Sequence, residues 1–186
     1  MNKLRISYTL IDLWERKRFE DMVNYYFKLK PMQESTAMFE GKIWDDIIQE
    51  EVIANMRLPE QFGGIKFADM PSVQVKLVSE LSDEVQMVNV IDLLYPTGLT
   101  FYEFKTGYSK SSYEYLSSGQ MDMYALGCFL NDIPITKGIS IRYNQYSKKA
   151  DWAMKWYNRS ILLSTKNELI EKGLEIAGYF KREGLL

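Results

Sequence analysis

Val90-Ile91-Asp92-Leu93-Leu94, then Tyr95-Pro96-Thr97-Gly98, then Leu99-Thr100-Phe101-Tyr102-Glu103-Phe104-Lys105: two runs of branched and aromatic residues meet across a short stretch of turn chemistry. Working outward, the first run begins at Val85 and the second closes at Lys105. Proline suits the second position of a turn and glycine the last, so the pattern predicts an antiparallel hairpin. If the turn occupies residues 95–98, Leu94 pairs with Leu99, which sets Asp92 opposite Phe101 and Val90 opposite Glu103. Side chains alternate along a strand, so Asp92, Glu103 and Lys105 are expected on one face and Phe104 on the other. The two carboxylates become diagonal neighbours, roughly 7–8 Å apart at the backbone, a gap their arms can close around a cation.

Two carboxylates that project together repel unless a cation separates them or one takes up a proton. A hard cation is the natural occupant, because Mg²⁺ takes oxygen ligands at roughly 2.0–2.1 Å and is commonly held by one or two carboxylates plus water and phosphate oxygens. Lys105, two positions from Glu103, can orient water and offset charge on a phosphate, work that no histidine can do in a chain without one. The bland alternative is that Glu103 and Lys105 form an ordinary surface ion pair. Asp92 tips the balance, since an aspartate flanked by Val90, Ile91, Leu93 and Leu94 is costly to bury alone.

Further along, Gln120 and Tyr124 stand four residues apart on a helix-like stretch and project from one face. Asp92, Glu103-Phe104-Lys105 and the Gln120/Tyr124 pair together resemble the motifs of the PD-(D/E)XK nuclease superfamily, in its RecB-like exonuclease branch. That branch includes the nuclease domain of RecB, the CRISPR-associated RecB-type exonucleases and, more distantly, lambda-type exonucleases. The order of the remaining features is similar across nearly the whole chain. Ser7-Tyr8-Thr9-Leu10 opens into a helix, a helix carries Gly41, and Lys105-Thr106-Gly107 follows the hairpin; the Gln/Tyr helix, a strand and a final helix complete the order.

The resemblance implies an α/β fold with a mixed central sheet, a catalytic β-hairpin, flanking helices and a restriction-endonuclease-like core. It implies a metal-dependent DNA nuclease, acting as an exonuclease at DNA ends, with Mg²⁺ or Mn²⁺ as cofactor. Asp92 and Glu103 are then metal ligands, the Phe104 carbonyl another, and Lys105 catalytic, while Gln120 and Tyr124 line the DNA path or support the active site. Many relatives carry a histidine four residues after the glycine of the second helix, where this chain has Asp45 after Gly41. Aspartate ligates Mg²⁺ directly, and other branches use an acidic residue on this helix, so Asp45 is a candidate additional ligand, although a solvated acidic face with Asp46, Glu50 and Glu51 describes it too. Some relatives hold a four-cysteine iron–sulfur cluster; the single Cys128 cannot, and none is expected. A structure-specific endonuclease, or a catalytically silent DNA-binding or assembly module of the same fold, is the alternative. Recombination, repair or phage DNA processing, with a protein partner from such a pathway, is compatible with the resemblance.

At 186 residues and 46% hydrophobic content the chain suits one substantial core, and a single domain over residues 1–186 is expected. The lone cysteine excludes an internal disulfide, and no apolar run is long enough for a membrane span, which together favour a cytoplasmic protein without membrane contact. A formal charge of −2 is modest for a nucleic-acid binder, so the distribution of basic residues matters more than their sum. Arg16-Lys17-Arg18, Lys28 with Lys30, Lys105 with Lys110, and Arg142 with Lys148-Lys149 form local groups, each equally explained as a solvated face.

Thr9 is a candidate N-cap for a first helix reaching about residue 28. A second helix should start near Thr36, with Phe39, Ile43 and Ile47 as its apolar face, followed by a loop at residues 61–64 and a strand over 73–79. Residues 108–118, rich in Ser and Tyr, read as a loop near the substrate, and Ser117 or Ser118 as the cap of the Gln/Tyr helix, on which Cys128 is buried filler. Residues 138–146 alternate, with Ile139, Ile141 and Tyr143 opposed to Ser140, Arg142 and Asn144, and read as a strand. Thr165 with Glu168 forms a capping-box signature for a terminal helix whose apolar side is Leu169, Gly173, Ile176 and Phe180.

Overall fold

The computed structural model describes residues 3–30, 36–107, 114, 116 and 119–186. A six-stranded mixed sheet forms the centre: β1 (Leu4–Ile6), β2 (Ser72–Glu80), β3 (Val85–Tyr95), β4 (Thr100–Gly107), β5 (Lys137–Asn144) and β6 (Lys149–Trp156). Helices α1 (Tyr8–Glu15), α2 (Phe19–Phe27), α3 (Thr36–Asn55), α4 (Gln120–Leu130) and α5 (Arg159–Arg182) flank it. β2, β3 and β4 form the expected antiparallel run, β4 and β5 are parallel, β1 lies parallel to the start of β3, and β6 closes the far edge antiparallel to β5. The mixed sheet flanked by helices is the fold class expected from the sequence.

Each face of the sheet has its own core. Ile6, Leu10, Met22, Met87, Ile91, Phe101, Met121, Leu126, Ile176 and Phe180 fill the first, between the sheet and α1, α2, α4 and α5. Ile48 and Val52 of α3 join Phe62, Leu93, Tyr102, Phe104, Ile141 and Tyr143 in the second. β4 alternates between them, with Phe101 in one and Tyr102 and Phe104 in the other, which is the strand period at work. Cys128 is buried in the first core, and burial pushes its thiol up to about 12, so it is inert filler.

Several expectations are corrected. Leu94 pairs with Phe101 and Tyr95 with Thr100, rather than Leu94 with Leu99. The turn is longer because Pro96–Gly98 winds into a 3-10 turn and Leu99 takes a left-handed conformation (φ 51°) before β4 begins. The offset is two residues, an even number, so the faces of β4 are unchanged. The first helix is split: Lys17 is left-handed (φ 57°), which lets Trp14 on α1 and Phe19 on α2 both pack on Tyr179 of α5, at ring centroid distances of 5.7 and 5.1 Å. Its N-cap is Ser7, whose hydroxyl accepts from the Leu10 N–H, and not Thr9. Phe39, Ile43 and Ile47 are exposed, while the neighbouring Ile48 and Val52 turn inward.

The terminal helix starts about two turns before the predicted capping box, at an Asn158 cap that accepts from the Ile161 N–H. Thr165 sits inside it and donates to the Ile161 carbonyl, while Glu168 pairs with Lys172. Leu169, Gly173, Ile176 and Phe180 are its buried side as expected. β6 had no counterpart in the sequence reading, because its large residues Trp152 and Trp156 are exposed at the sheet edge. Gly119 occupies the N-cap position of α4; Ser117 and Ser118, like most of residues 108–118, lie outside the described residues.

Candidate active site

Asp92 is positioned by an irregularity shared by two strands. Ile91 enters the first core and Leu93 the second, although residues two apart in a regular strand share a face. On β2, Val75 packs against the first core and Val73 against the second, the same change of phase. The ladder joins Val75 to Ile91 and Val73 to Leu93 but skips the rung between them, where Gln74 has a φ of 50°. Matched bulges of this kind re-aim a side chain. The β3–β4 ladder ends at Leu93 and Tyr102, and there the Asp92 carboxylate takes over, Oδ2 accepting the Phe104 N–H at 2.8 Å.

Glu103 follows on β4, only 1% exposed, with one oxygen ion-paired to Lys105 and the other, Oε2, buried without a hydrogen-bond partner among the described residues. Asp45 approaches from α3, which packs against β4, and a cavity of about 390 Å³ lies between Gly41, Asp45, Phe104, Lys105 and Thr106. From α4, Gln120 donates to the Tyr124 hydroxyl at 2.6 Å. Thus the structure brings together Asp45, Asp92, Glu103, Lys105, Gln120 and Tyr124, with Phe104 bridging Asp92 and Glu103 through its backbone.

The charges act on one another. Burial, reinforced by Glu103 and Asp46 and opposed by Lys105, raises Asp45 to about 6. Burial and then the Glu103 charge hold Asp92 well above the usual carboxylate range, against the pull of Lys105 and the Phe104 N–H. Burial, with Glu103 and Asp92 behind it, likewise raises the Tyr124 phenol, which therefore stays protonated and can only donate where an anion faces it.

Does this arrangement suit a divalent ion? The donors are all oxygen, and the buried Glu103 Oε2 has no hydrogen-bond partner among the described residues, both of which fit a hard cation. Among the described residues no three acidic, histidine or cysteine side chains gather tightly enough to be a ligand set by themselves. Two carboxylates with water and phosphate oxygens completing the shell is the Mg²⁺ pattern.

Asp45 offers a direct check on this crowding. Its folded pKa of about 6 lies above the ordinary 3.8, so the native state binds the proton more tightly than the unfolded chain, and stability falls as pH rises between those values. In EDTA at pH 8, Asp45→Asn is expected to stabilise the protein by on the order of 1–2 kcal/mol, after allowance for solvent, with the gain fading toward about pH 4. Urea denaturation across that range measures it, and a gain independent of pH would contradict the coupling.

Of the N-terminal basic groups, Arg16 pairs with Asp12, Arg18 with Asp21 and Lys30 with Glu20, all on the surface. Arg142 is different. It is buried on β5 beside Lys105, and the alternation of residues 139–144 that placed it opposite Ile141 and Tyr143 was the signal that could have found it.

A six-stranded mixed sheet of this order, with helices on both faces, is an α/β fold shared with several solved exonucleases. It matches solved structures over most of the chain, at TM-scores between 0.54 and 0.61. A candidate exonuclease of Eubacterium rectale is 13% identical with a TM-score of 0.61, covering 100% of this chain and 84% of that one. The alkaline exonuclease LHK-Exo of Laribacter hongkongensis, in complex with dAMP, is 9% identical with a TM-score of 0.55, covering 96% and 93%. A phage-related exonuclease of Haemophilus somnus is 9% identical with a TM-score of 0.54, covering 90% and 82%. At such identities the likeness is one of fold. No protein-family profile matches the chain, and no curated protein matches it. No helix among the described residues is long and apolar enough to cross a membrane.

Proposed function

We propose that this protein is a Mg²⁺- or Mn²⁺-dependent deoxyribonuclease that hydrolyses phosphodiester bonds at DNA ends, a RecB-like exonuclease of the PD-(D/E)XK superfamily. The observation that carries the reading is the meeting of Asp92, Glu103 and Lys105 at the point where β3 and β4 part, with a buried Glu103 oxygen that has no hydrogen-bond partner among the described residues. The fold it shares with several exonucleases supports the same reading.

Asp92 and Glu103 would hold the ion, with the Phe104 carbonyl as a further ligand, and Asp45, not gathered into one set with them, would add its charge nearby. When bound, such an ion supplies Lewis acidity and neutralises phosphate charge. Lys105 orients the attacking water and donates to a phosphate oxygen. Tyr124, fixed by Gln120, donates its proton in hydrogen bonds to the strand being cut or to Glu103. Water adds to phosphorus as the ester P–O bond breaks, and the leaving oxygen takes up a proton. DNA is the substrate, and a recombination or repair protein is the natural partner.

The test is cleavage of linear and closed-circular DNA in Mg²⁺, Mn²⁺ or EDTA. Metal-dependent loss of linear DNA, with circles intact and EDTA abolishing the activity, is the expected result. Cutting of circles would make the protein an endonuclease, and DNA retention without cleavage in any metal would reduce it to a binding module.

A further inference from the structure

Arg142 has no part in the reading above. It pairs in parallel register with Lys105, as Ser140 does with Glu103, and register partners on adjacent strands share a face. Ile141 and Tyr143 enter the second core, so Ser140 and Arg142 turn to the opposite face, that of Phe101 and α4. The guanidinium extends along the strands to the level of Gly107, where a side chain would begin 4.0 Å from Nη2. Gly107 adds no side chain to that space.

Three neighbouring polar atoms on this face are buried without hydrogen-bond partners among the described residues: Glu103 Oε2, Ser140 Oγ and Arg142 Nε. Arg142 is 5% exposed, and none of the ion pairs among the described residues includes it. Buried polar groups are almost always satisfied, and a buried charge without a counter-charge is costly, so a row of orphans marks a place where a ligand completes the bonding. The row asks for a cation at the glutamate end and an anion at the arginine end. Arginine does not deprotonate, and its planar fork matches two oxygens of a phosphate.

We propose that Arg142, assisted by Ser140, binds a phosphate group of the nucleic acid held at this site. The assignment rests on the nuclease reading for the identity of the ligand. A terminal phosphate and an internal phosphodiester present the same oxygens, and the test separates them.

Binding of fluorescein-labelled duplex DNA, carrying either 5′-phosphate or 5′-hydroxyl ends, is measured by anisotropy in EDTA over a range of salt, so that no cleavage occurs. Arg142→Gln is expected to weaken binding roughly 10- to 100-fold. It should also lower the slope of log affinity against log salt by about 0.9, the loss of one phosphate contact. Arg142→Lys keeps the charge and the slope but loses part of the affinity, because a point charge replaces the fork. The Tm of DNA-free Arg142→Gln should equal or exceed that of the wild type.

A deficit confined to 5′-phosphate DNA makes the contact a terminal phosphate, and an equal deficit makes it a phosphodiester; both support the proposal. Unchanged affinity and slope in Arg142→Gln overturn it. So does a Tm loss in Arg142→Gln that Arg142→Lys restores while the salt slope stays at the wild-type value in both, since that is a structural role. A wild-type chain that binds DNA through Arg142 yet never cuts would remove the nuclease reading alone, and one with no affinity for DNA would remove both.

Discussion

Lys105→Ala is expected to lower metal-dependent DNA cleavage by roughly 10²–10⁴-fold, the range lost with a positioned general acid–base group. The same variant should bind Mn²⁺ more tightly than the wild type. Both follow from one contact: the Lys105 ammonium occupies an oxygen of Glu103, so it neutralises the carboxylates in the metal-free protein and competes with the ion for them. Without it, Asp45, Asp92 and Glu103 face one another with no resident cation, and the metal-free fold should lose stability that Mn²⁺ restores. Steady-state cleavage of linear duplex gives the rate, and calorimetric titration with Mn²⁺ gives the affinity. Wild-type turnover in the variant would remove Lys105 from the chemistry, and weaker Mn²⁺ binding would mean the ammonium supports the ligands instead of rivalling the ion.

Phe180→Ala should cost about 3–5 kcal/mol of stability, the usual range for deleting a buried aromatic. Phe180 is fully buried, with its ring centroid 5.0 Å from Tyr26 and 5.2 Å from Phe27, so it ties α5 to α2 at the back of the first core. For a chain of this size that loss lowers Tm by roughly 6–20 °C. Tyr26, Phe27 and Tyr179, the ring partners of Phe180, are not site residues, so cleavage measured well below the new Tm should stay near the wild-type rate. Denaturation in urea checks the first expectation; a loss under about 1 kcal/mol would mean that neighbouring rings refill the space.

The candidate site residues were easier to pick out than the geometry that places them. Asp92, Glu103 and Lys105 were legible because acidic and basic residues interrupt apolar strands at a cost, and Gln120 with Tyr124 because helical spacing puts them on one side. The turn was misjudged because Leu99, an ordinary strand former, takes a left-handed conformation that nothing in its side chain announces. Lys17 hid the break between α1 and α2 for the same reason. Glu103 and Lys105 still came out on the expected face, since an offset of two preserves parity. Asp92 reaches Glu103 by another route, through bulges that strict alternation cannot foresee. Arg142 was read as one member of a basic surface group, because charge is visible in a sequence and burial is not. On α3 the apolar residues at 39, 43 and 47 form a regular stripe, yet the helix turns Ile48 and Val52 inward, showing that periodicity identifies a helix without fixing its rotation.

The doubled irregularity at Gln74 and Asp92 also limits how this sheet can be altered. Deleting Gln74 alone would leave β3 out of step with its neighbour from that rung onward, exposing apolar residues on one strand while the other stayed buried. Either chain segment can be lengthened at its outer end, but the aspartate cannot be moved along the strand by one position without a matching edit eighteen residues away in the sequence. Engineers transplanting this centre into another scaffold would have to carry both strands together.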